Sequence, residues 1–287
     1  MANMLSLKRR IQTAQNVSKT TRAMQMIAAS KLKRAQNSAV LSKTYVNKLS
    51  NLTKSVSSKV EDQSSHPYMK APSDAKRKLS IVLSPDKGLC GGMISNLTRE
   101  IIKEDQGNPY YIIIGKKAEN VLLKLDREIL AIFPFGTTLP SFDSVYPIIK
   151  LVEDTYLAGK VSEVRVISSE FTSVFTQAPG VKKILPLEFD NENEEKKEEG
   201  RFTQFEPNIE TLLPSLLKHY LEMVLYQSLL ENYASEQAAR MIAMKNATDN
   251  AKDVIGELKL EYNKLRQEKI TNEILDIGSA AFLTSYE

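Results

Sequence analysis

The chain has 287 residues and a formal net charge of only +4, from 39 Lys and Arg against 35 Asp and Glu. Its 42% hydrophobic content is enough for a packed core, but no apolar run approaches the roughly 18 residues of a membrane-spanning helix. A single cysteine excludes an internal disulfide, and two histidines with one cysteine are too few for a usual structural zinc site.

The small net charge hides a very uneven distribution of charged residues, Gly and Pro along the chain. Residues 1–60 contain twelve basic and no acidic side chains, whereas the rest of the chain is slightly acidic. All eleven Pro and nine of the eleven Gly lie between residues 67 and 214. The N-terminus has no apolar signal region, and its basic character continues too far for a typical transit peptide. This uneven distribution predicts that the chain consists of three structurally different segments.

The composition of residues 1–60 predicts one long coiled-coil helix, over about residues 3–58. This stretch has no Gly or Pro and is rich in good helix formers. A narrow stripe of small and apolar residues, interrupted by Thr21 and Ser42, recurs at three- and four-residue steps: Leu7, Ile11, Ala14, Val17, Met24, Ala28, Leu32 and Ala35. Such a helix would measure roughly 80 Å, so we expect it to project or to pair with another helix.

Residues 75–205 predict an α/β domain. Apolar runs predict three buried strands and a weaker edge strand that contains Pro186, at 78–84, 110–115, 163–168 and 183–187. Helical patterns lie near 94–105, 116–126 and 143–158. This alternation is typical of a mostly parallel, Rossmann-like sheet. The charged run 191–200 predicts a solvated loop.

Residues 209–287 predict a second long helix. Its apolar surface is wide as far as Met244 and is narrower beyond it. The residues of the narrow face have spacings close to a heptad: Ala251, Val254, Leu258, Tyr262, Leu265, Thr271, Ile274 and Ile277. The predicted fold class is therefore α/β plus long helices: an antiparallel coiled coil of N- and C-terminal helices with a central Rossmann-like α/β domain. The acidic last segment would partly offset the basic first one.

The loop from Ser84 to Gly92 follows the first predicted strand, where Gly-rich loops bind phosphate. It matches neither GxxxxGK[ST] nor GxGxxG, and the alternative is a tight turn that needs positive φ. Cys90 could be a nucleophile near a helix N-terminus, but His66 and His219 are both distant in sequence. The residues thus give no support for a catalytic site, and an enzyme built on this domain remains an alternative.

The basic first helix has three interpretations. It could neutralise nucleic-acid phosphates, although Tyr45 is the only aromatic residue in 1–60. It could lie on an anionic membrane, although it lacks a bulky apolar face. It could also be a shaft or partner helix whose cations face acidic surfaces of another protein.

Four stretches resemble the gamma subunit of F-type ATP synthases. Residues 9–31 resemble its N-terminal helix, and residues 86–92, Asp-Lys-Gly-Leu-Cys-Gly-Gly, are similar to its D-[RK]-G-L-C-G turn. Residues 235–251, which begin Ser-Glu-Gln-Ala-Ala-Arg-Met, resemble its C-terminal block, and residues 270–274 match I-T-x-E-[IL]. Residues 278–281 depart from the family pattern, because they read Gly-Ser-Ala-Ala where a Val or Ile, a small residue and Gly-Ala are usual.

The resemblance implies the central rotor shaft of F-type ATP synthase, which has no active site and no cofactor of its own. One copy per complex would contact three alpha and three beta subunits, the epsilon subunit and the membrane c-ring, and would not bind nucleic acid. The resemblance also implies a peripheral membrane location, on the cytoplasmic face of the bacterial membrane or at the mitochondrial inner membrane.

The resemblance further implies which residues form rotor–stator contacts with beta-subunit loops. Two of them lie on the first helix and five on the last: Arg22, Met24, Arg240, Arg266, Gln267, Thr271 and Glu273. The alternative is that several of these residues only pair the two helices.

Overall fold

We describe a computed structural model of the chain at residues 4–59, 66–72, 75–188, 206 and 208–284, without the side chains of 278–284. The predicted loop at 191–200 and the Gly278–Ala281 side chains therefore lie outside the described residues. The described chain divides into two compact units, Met1–Ile27 with Met241–Glu287, and Ala28–Arg240.

The mixed α/β architecture with long terminal helices is confirmed. The α-helices are α1 (Met4–Ser57), α2 (Met93–Glu104), α3 (Glu119–Lys124), α4 (Tyr146–Leu157) and α5 (Ile209–Thr284). The strands are β1 (Arg77–Leu83), β2 (Tyr110–Ile114), β3 (Ile129–Phe133), β4 (Val161–Phe171) and β5 (Gln177–Leu185). Short 3₁₀ turns occur at Pro67–Met69 and Phe142–Val145.

The five strands form one sheet in the order β3-β2-β1-β4-β5. The pairings β3–β2, β2–β1 and β1–β4 are parallel, and β5 runs antiparallel to β4 at one edge. The predicted edge strand is therefore confirmed, with Pro186 just beyond its end. The strand β3 was not predicted, although its sequence, Ile-Leu-Ala-Ile-Phe, is a continuous apolar run. Its side chains are only partly buried, as befits an edge strand.

The buried face of α1 follows a stricter repeat than hydropathy predicts. Positions at alternating steps of four and three residues are all at least partly buried: Leu7, Ile11, Ala14, Ser18, Thr21, Gln25, Ala28, Leu32, Ala35, Ala39, Ser42, Val46, Leu49, Thr53 and Val56. The predicted members Val17 and Met24 are instead exposed, at 47% and 38%. The predicted interruptions, Thr21 and Ser42, belong to the face. A 3.5-residue period is what helix pairing in a left-handed supercoil requires.

Within the unit formed by both chain ends, α5 carries a matching seam. Its partly or fully buried positions are again spaced by four and three residues: Met244, Thr248, Ala251, Ile255, Leu258, Tyr262 and Leu265. Ile255 replaces the predicted Val254, which is exposed. The hydroxyls of Thr21 and Thr248 share a hydrogen bond of 2.7 Å, which fixes the register of α1 on α5. From residue 266 to residue 277 every side chain is exposed, so the predicted seam members Thr271, Ile274 and Ile277 are not buried.

In the unit Ala28–Arg240, α1 and α5 run antiparallel. Tyr45 of α1 contacts His219 of α5. Ala39, which precedes Tyr45 on α1, accepts a hydrogen bond from Gln227, which follows His219 on α5. Nearly every side chain of α5 between residues 221 and 239 is buried, because this stretch packs against α1 on one side and the α/β sheet on another. The wide apolar surface predicted there is confirmed.

A substitution at Gly115 tests how closely the backbones that follow β1 and β2 approach each other. It has a φ of +98°, and a Cβ at this position would lie 1.8 Å from the carbonyl oxygen of Ser84. We expect Gly115→Ala to lower the free energy of unfolding by about 3 kcal/mol or more, because neither backbone can retreat without breaking strand-end hydrogen bonds. The measurement is denaturant unfolding followed by circular dichroism.

Gly107→Ala is the matched control. Gly107 also has a positive φ, of +77°, but no atom of the described residues lies within 4 Å of the point that a Cβ would occupy there. The substitution should cost about 1 kcal/mol from backbone strain alone. Equal losses at the two positions would contradict the close approach of Gly115 to Ser84.

Candidate functional site

The loop between β1 and α2, residues 84–92, is built into the carboxyl edge of the sheet. The Ser84 hydroxyl donates to the Gly115 carbonyl at 2.8 Å and accepts from the Ala118 amide at 3.2 Å. Positive φ angles occur at Leu89 (64°) and Gly91 (57°), as expected for a tight strand-to-helix turn. The loop is thus a braced connection between the ends of β1 and β2.

Asp86 extends this brace to a third strand. Its carboxylate accepts hydrogen bonds from the amide of Lys116 at 3.1 Å and from the amide of Gly136 at 2.7 Å. Those amides follow β2 and β3, so one side chain joins the ends of three neighbouring strands. A carboxylate at this edge also repels phosphate, which argues against the nucleotide-binding interpretation of the loop.

Arg240 of α5 is engaged with the same loop. Its guanidinium donates to Glu236 Oε1 at 2.6 Å and to the carbonyls of Lys87 and Gly88 at 3.2 and 3.3 Å. Glu236 is only 4% exposed, and burial raises the pKa of its carboxyl while Arg240 opposes that shift. Its second oxygen has no hydrogen-bond partner among the described residues. Arg240 therefore compensates a buried charge and anchors the loop.

The environment of Cys90 is that of a packed side chain. It is 1% exposed and clusters with Met93 and Ala239. Burial raises the pKa of its thiol, with Arg240 opposing, so the reactive thiolate is disfavoured at neutral pH. His66 caps the 3₁₀ turn at residue 67 and His219 contacts Tyr45, so each of the two histidines has another role. The geometry gives no support for Cys90 as a nucleophile.

The other six predicted rotor–stator residues are exposed and form two groups. Arg22 and Met24 lie on α1 beside Thr21, which is bonded to Thr248 of α5. The second group lies at least 18 residues further along α5, which is about 27 Å of helix. It comprises Arg266, Gln267, Thr271 and Glu273. Glu273 lies 3.6 Å from Lys269 in an exposed ion pair. The structure does not bring the two groups together.

Among the side chains that the structure describes, the cations of α1 and the acidic residues of α5 form separate sets. Within the described ranges, no ion pair joins α1 to α5. The expected charge offset between the first and last segments is therefore not made by direct contacts in the described chain. Most of these cations instead lie on the exposed surface of the helix.

Sequence reasoning missed the roles of Asp86, Glu236 and the loop that follows β3. Asp86 stood inside the motif at residues 86–92, but its amide partners are distant in sequence. The Glu236–Arg240 pair was detectable, because residues four apart face each other on a helix. Among the described residues, none of the helices combines the length and the apolar character that a membrane-spanning segment requires.

Comparison with known proteins identifies relatives along the full chain. The family model described as ATP synthase matches residues 3–282. The ATP synthase gamma chain of Dehalococcoides mccartyi strain CBDB1 is 36% identical over 289 residues, covering 99% of this chain and all of that protein. The ATP synthase gamma chain of Legionella pneumophila strain Corby is 37% identical over 292 residues, with the same coverage.

Solved structures share the fold. A chain of the Euglena gracilis mitochondrial ATP synthase, in a structure of OSCP, F1 and c-ring, aligns with a TM-score of 0.71 and 14% identity, covering 98% of this chain and 94% of that one. A chain of the Tetrahymena thermophila central stalk and c-ring structure aligns with a TM-score of 0.58 and 21% identity, covering 79% and 99%.

The buried state of Cys90 predicts slow thiol chemistry. In the folded chain at pH 7–8, a water-soluble disulfide reagent should modify Cys90 far more slowly than after unfolding, because the thiol is both buried and protonated. The matched control is Leu89→Cys in a Cys90→Ala background, since Leu89 is adjacent and 62% exposed. Equally fast modification of both positions would show that the packing around Cys90 is wrong.

The Glu236–Arg240 pair predicts non-additive stability changes. Arg240→Met should cost about 3–5 kcal/mol of unfolding free energy, because it leaves the buried Glu236 carboxylate without its charge partner. In a Glu236→Gln background the same change should cost at least about 1 kcal/mol less. Denaturant unfolding of the two single variants and the double variant measures the difference. Additive costs would mean that the two side chains do not interact.

Proposed function

Because this chain belongs to the ATP synthase gamma chain family, we propose that it is the central rotor shaft of an F-type ATP synthase. It couples proton-driven rotation of the membrane c-ring to ATP synthesis or hydrolysis at the alpha–beta hexamer. The observation that carries the proposal is the match over 99% of this chain to gamma chains that it covers completely. The long helices and the sheet support it independently.

The helix pair has the physical properties that a shaft needs. The helix α1 contains neither Gly nor Pro, and its buried seam keeps a strict heptad spacing from Leu7 to Val56. In α5 the only Pro, Pro214, lies near the start of the helix, so the interior keeps its backbone hydrogen bonds. Two helices that pair along such a seam resist twisting better than one helix alone.

The partners follow from the same premise. One copy of the chain contacts three alpha and three beta subunits, the epsilon subunit and the c-ring. The exposed cations of α1 suit acidic loops of the surrounding hexamer, because no ion pair within the described ranges ties them to α5. The complex is peripheral to the membrane, at the cytoplasmic face in a bacterium or at the inner membrane in a mitochondrion.

The chain itself is non-catalytic and needs no cofactor in this proposal. In the loop at residues 84–92, the Asp86 carboxylate already accepts from a strand-end amide and the guanidinium of Arg240 already binds loop backbone, so a phosphate site is not supported. Cys90 is buried, so a nucleophile is not supported either. Chemistry takes place on the hexamer. The rotor acts there by making different contacts with each catalytic subunit at each angle, since only differential contacts shift a conformational equilibrium.

The proposed rotor–stator contacts are, apart from Arg240, the exposed side chains of Arg22 and Met24 on α1 and of Arg266, Gln267, Thr271 and Glu273 on α5. Their exposure leaves them free to touch a surrounding subunit, and their separation along α5 would allow contacts at two heights. Arg240 is a different case, because its guanidinium already holds Glu236 and two loop carbonyls. We retain Arg240 in the proposed set, but it is a poor residue for testing contact alone.

Reconstitution tests the proposed function. Adding the purified chain to a matching alpha–beta hexamer and membrane sector should restore proton-driven ATP synthesis. A complex that assembles and couples fully without the chain would contradict the proposal.

Glu273 tests the contact group separately. We expect Glu273→Ala to reduce coupled ATP synthesis severalfold in the assembled complex while leaving the melting temperature of the free chain unchanged, because the side chain is exposed. The matched control is Glu268→Ala, an exposed glutamate on the same helix outside the proposed contacts. If both variants retain full coupled rates, Glu273 is not a contact; if both lose them equally, the effect is general to this end of α5.

A further inference from the structure

One backbone atom is held by both long helices. Within the unit Ala28–Arg240, the carbonyl oxygen of Thr137 accepts a hydrogen bond from the Lys31 ammonium of α1 and another from the Tyr233 hydroxyl of α5, the latter at 3.2 Å. Thr137 lies in the loop that follows β3, in the α/β part of this unit. Both helices are therefore hydrogen-bonded to the same carbonyl, in the loop that follows β3.

The loop that carries Thr137 is itself fixed to the sheet. The amide of Gly136, its neighbour, donates to the Asp86 carboxylate, which also accepts from the amide of Lys116. Phe135 packs beside the Tyr233 ring, with centroids 6.1 Å apart. A displacement of Thr137 is thus opposed by backbone groups at the ends of three strands, not by a single flexible loop.

Other contacts of α5 repeat the pattern. Arg240 donates to the carbonyls of Lys87 and Gly88, and Asn232 accepts from the Ser169 amide at 3.0 Å. Each of these bonds runs between a helix side chain and backbone near the end of β1 or β4. Backbone partners give a stiffer link than paired flexible side chains, because the backbone group has no rotamer freedom of its own.

We propose that the Thr137 carbonyl, held by Lys31 and Tyr233, is a shared attachment point through which torque passes between the α/β domain and both shaft helices. The inference rests on the proposed rotor function and adds to it the route of the mechanical load. Lys31 and Tyr233 are positioning residues: they fix the sheet to the helices and touch no substrate. Since the carbonyl has a donor on each helix, it opposes rotation of the sheet about either helix alone.

The test removes the two donors and measures stiffness. Lys31→Met and Tyr233→Phe, singly and together, delete a hydrogen bond while nearly preserving side-chain volume. In the assembled complex, with the hexamer immobilised and a probe on the α/β domain, the double variant should show wider thermal fluctuations of the rotor angle, a loss of torsional stiffness. Proton-driven ATP synthesis at a high ratio of ATP to ADP and phosphate should fall more than unloaded ATP hydrolysis, and Tyr233→Phe alone should show a smaller change of the same kind.

The matched control is Lys33→Met with Tyr262→Phe, because Lys33 is exposed two residues along α1 and Tyr262 lies on the distant part of α5. This pair should keep wild-type stiffness. Wild-type angular fluctuations in the Lys31/Tyr233 double variant, or the same loss in the control pair, would overturn the inference. Failure of the wild-type chain to rotate at all would instead overturn the proposed rotor function, so the two failures are distinguishable.

Discussion

The period of 3.5 residues on the buried faces of the two long helices is the constraint on which the rest of the structure depends. A straight α-helix drifts against that period, so two helices that keep it must wind around each other to stay in contact. On α1 the repeat holds through fifteen successive positions despite five polar members, Ser18, Thr21, Gln25, Ser42 and Thr53. Spacing, not hydrophobicity, therefore defines this seam. The polar members, above all Thr21 with Thr248, set which residues face each other.

A second set of interactions attaches the sheet of the α/β domain to the pair of helices. Parallel strands end at one edge, where carbonyls and amides need partners. Here, Asp86 and Ser84 satisfy several of these groups within the domain, while Lys31, Tyr233, Asn232 and Arg240 reach others from the helices. The edge at which related folds bind nucleotides is thus used for attachment. The buried Glu236 carboxylate belongs to this arrangement, because it orients the guanidinium that holds the loop at residue 87.

Much of this fold could be predicted from the sequence, because its signals are local. The lack of Gly and Pro in residues 1–60, the apolar runs of β1, β2 and β4, and the Pro after β5 each act on their own element. Seam membership was less predictable, since Val17 and Val254 look apolar but lie one residue from the true positions, Ser18 and Ile255. The strand β3 was predictable by the same criterion, because Ile129–Phe133 is a continuous apolar run, but it was not predicted. The Thr137 carbonyl could not be predicted, because a backbone oxygen has no sequence signature and its donors lie about a hundred residues away on either side.

The six exposed candidate contacts came from family resemblance and not from residue chemistry, and their placement explains why. Arg22 and Glu273 are exposed, and Glu273 forms an exposed ion pair with Lys269 of its own helix, so their surroundings do not single them out on this chain. Their significance would come only from a surface that surrounds them.

Rotation of this chain inside a hexamer is tested most directly by single-molecule imaging. A probe fixed to the α/β domain of the chain, in a complex whose alpha–beta hexamer is immobilised, should turn in one direction in discrete steps when ATP is added. A probe that keeps a fixed orientation while the same complexes hydrolyse ATP would contradict the proposed rotor function.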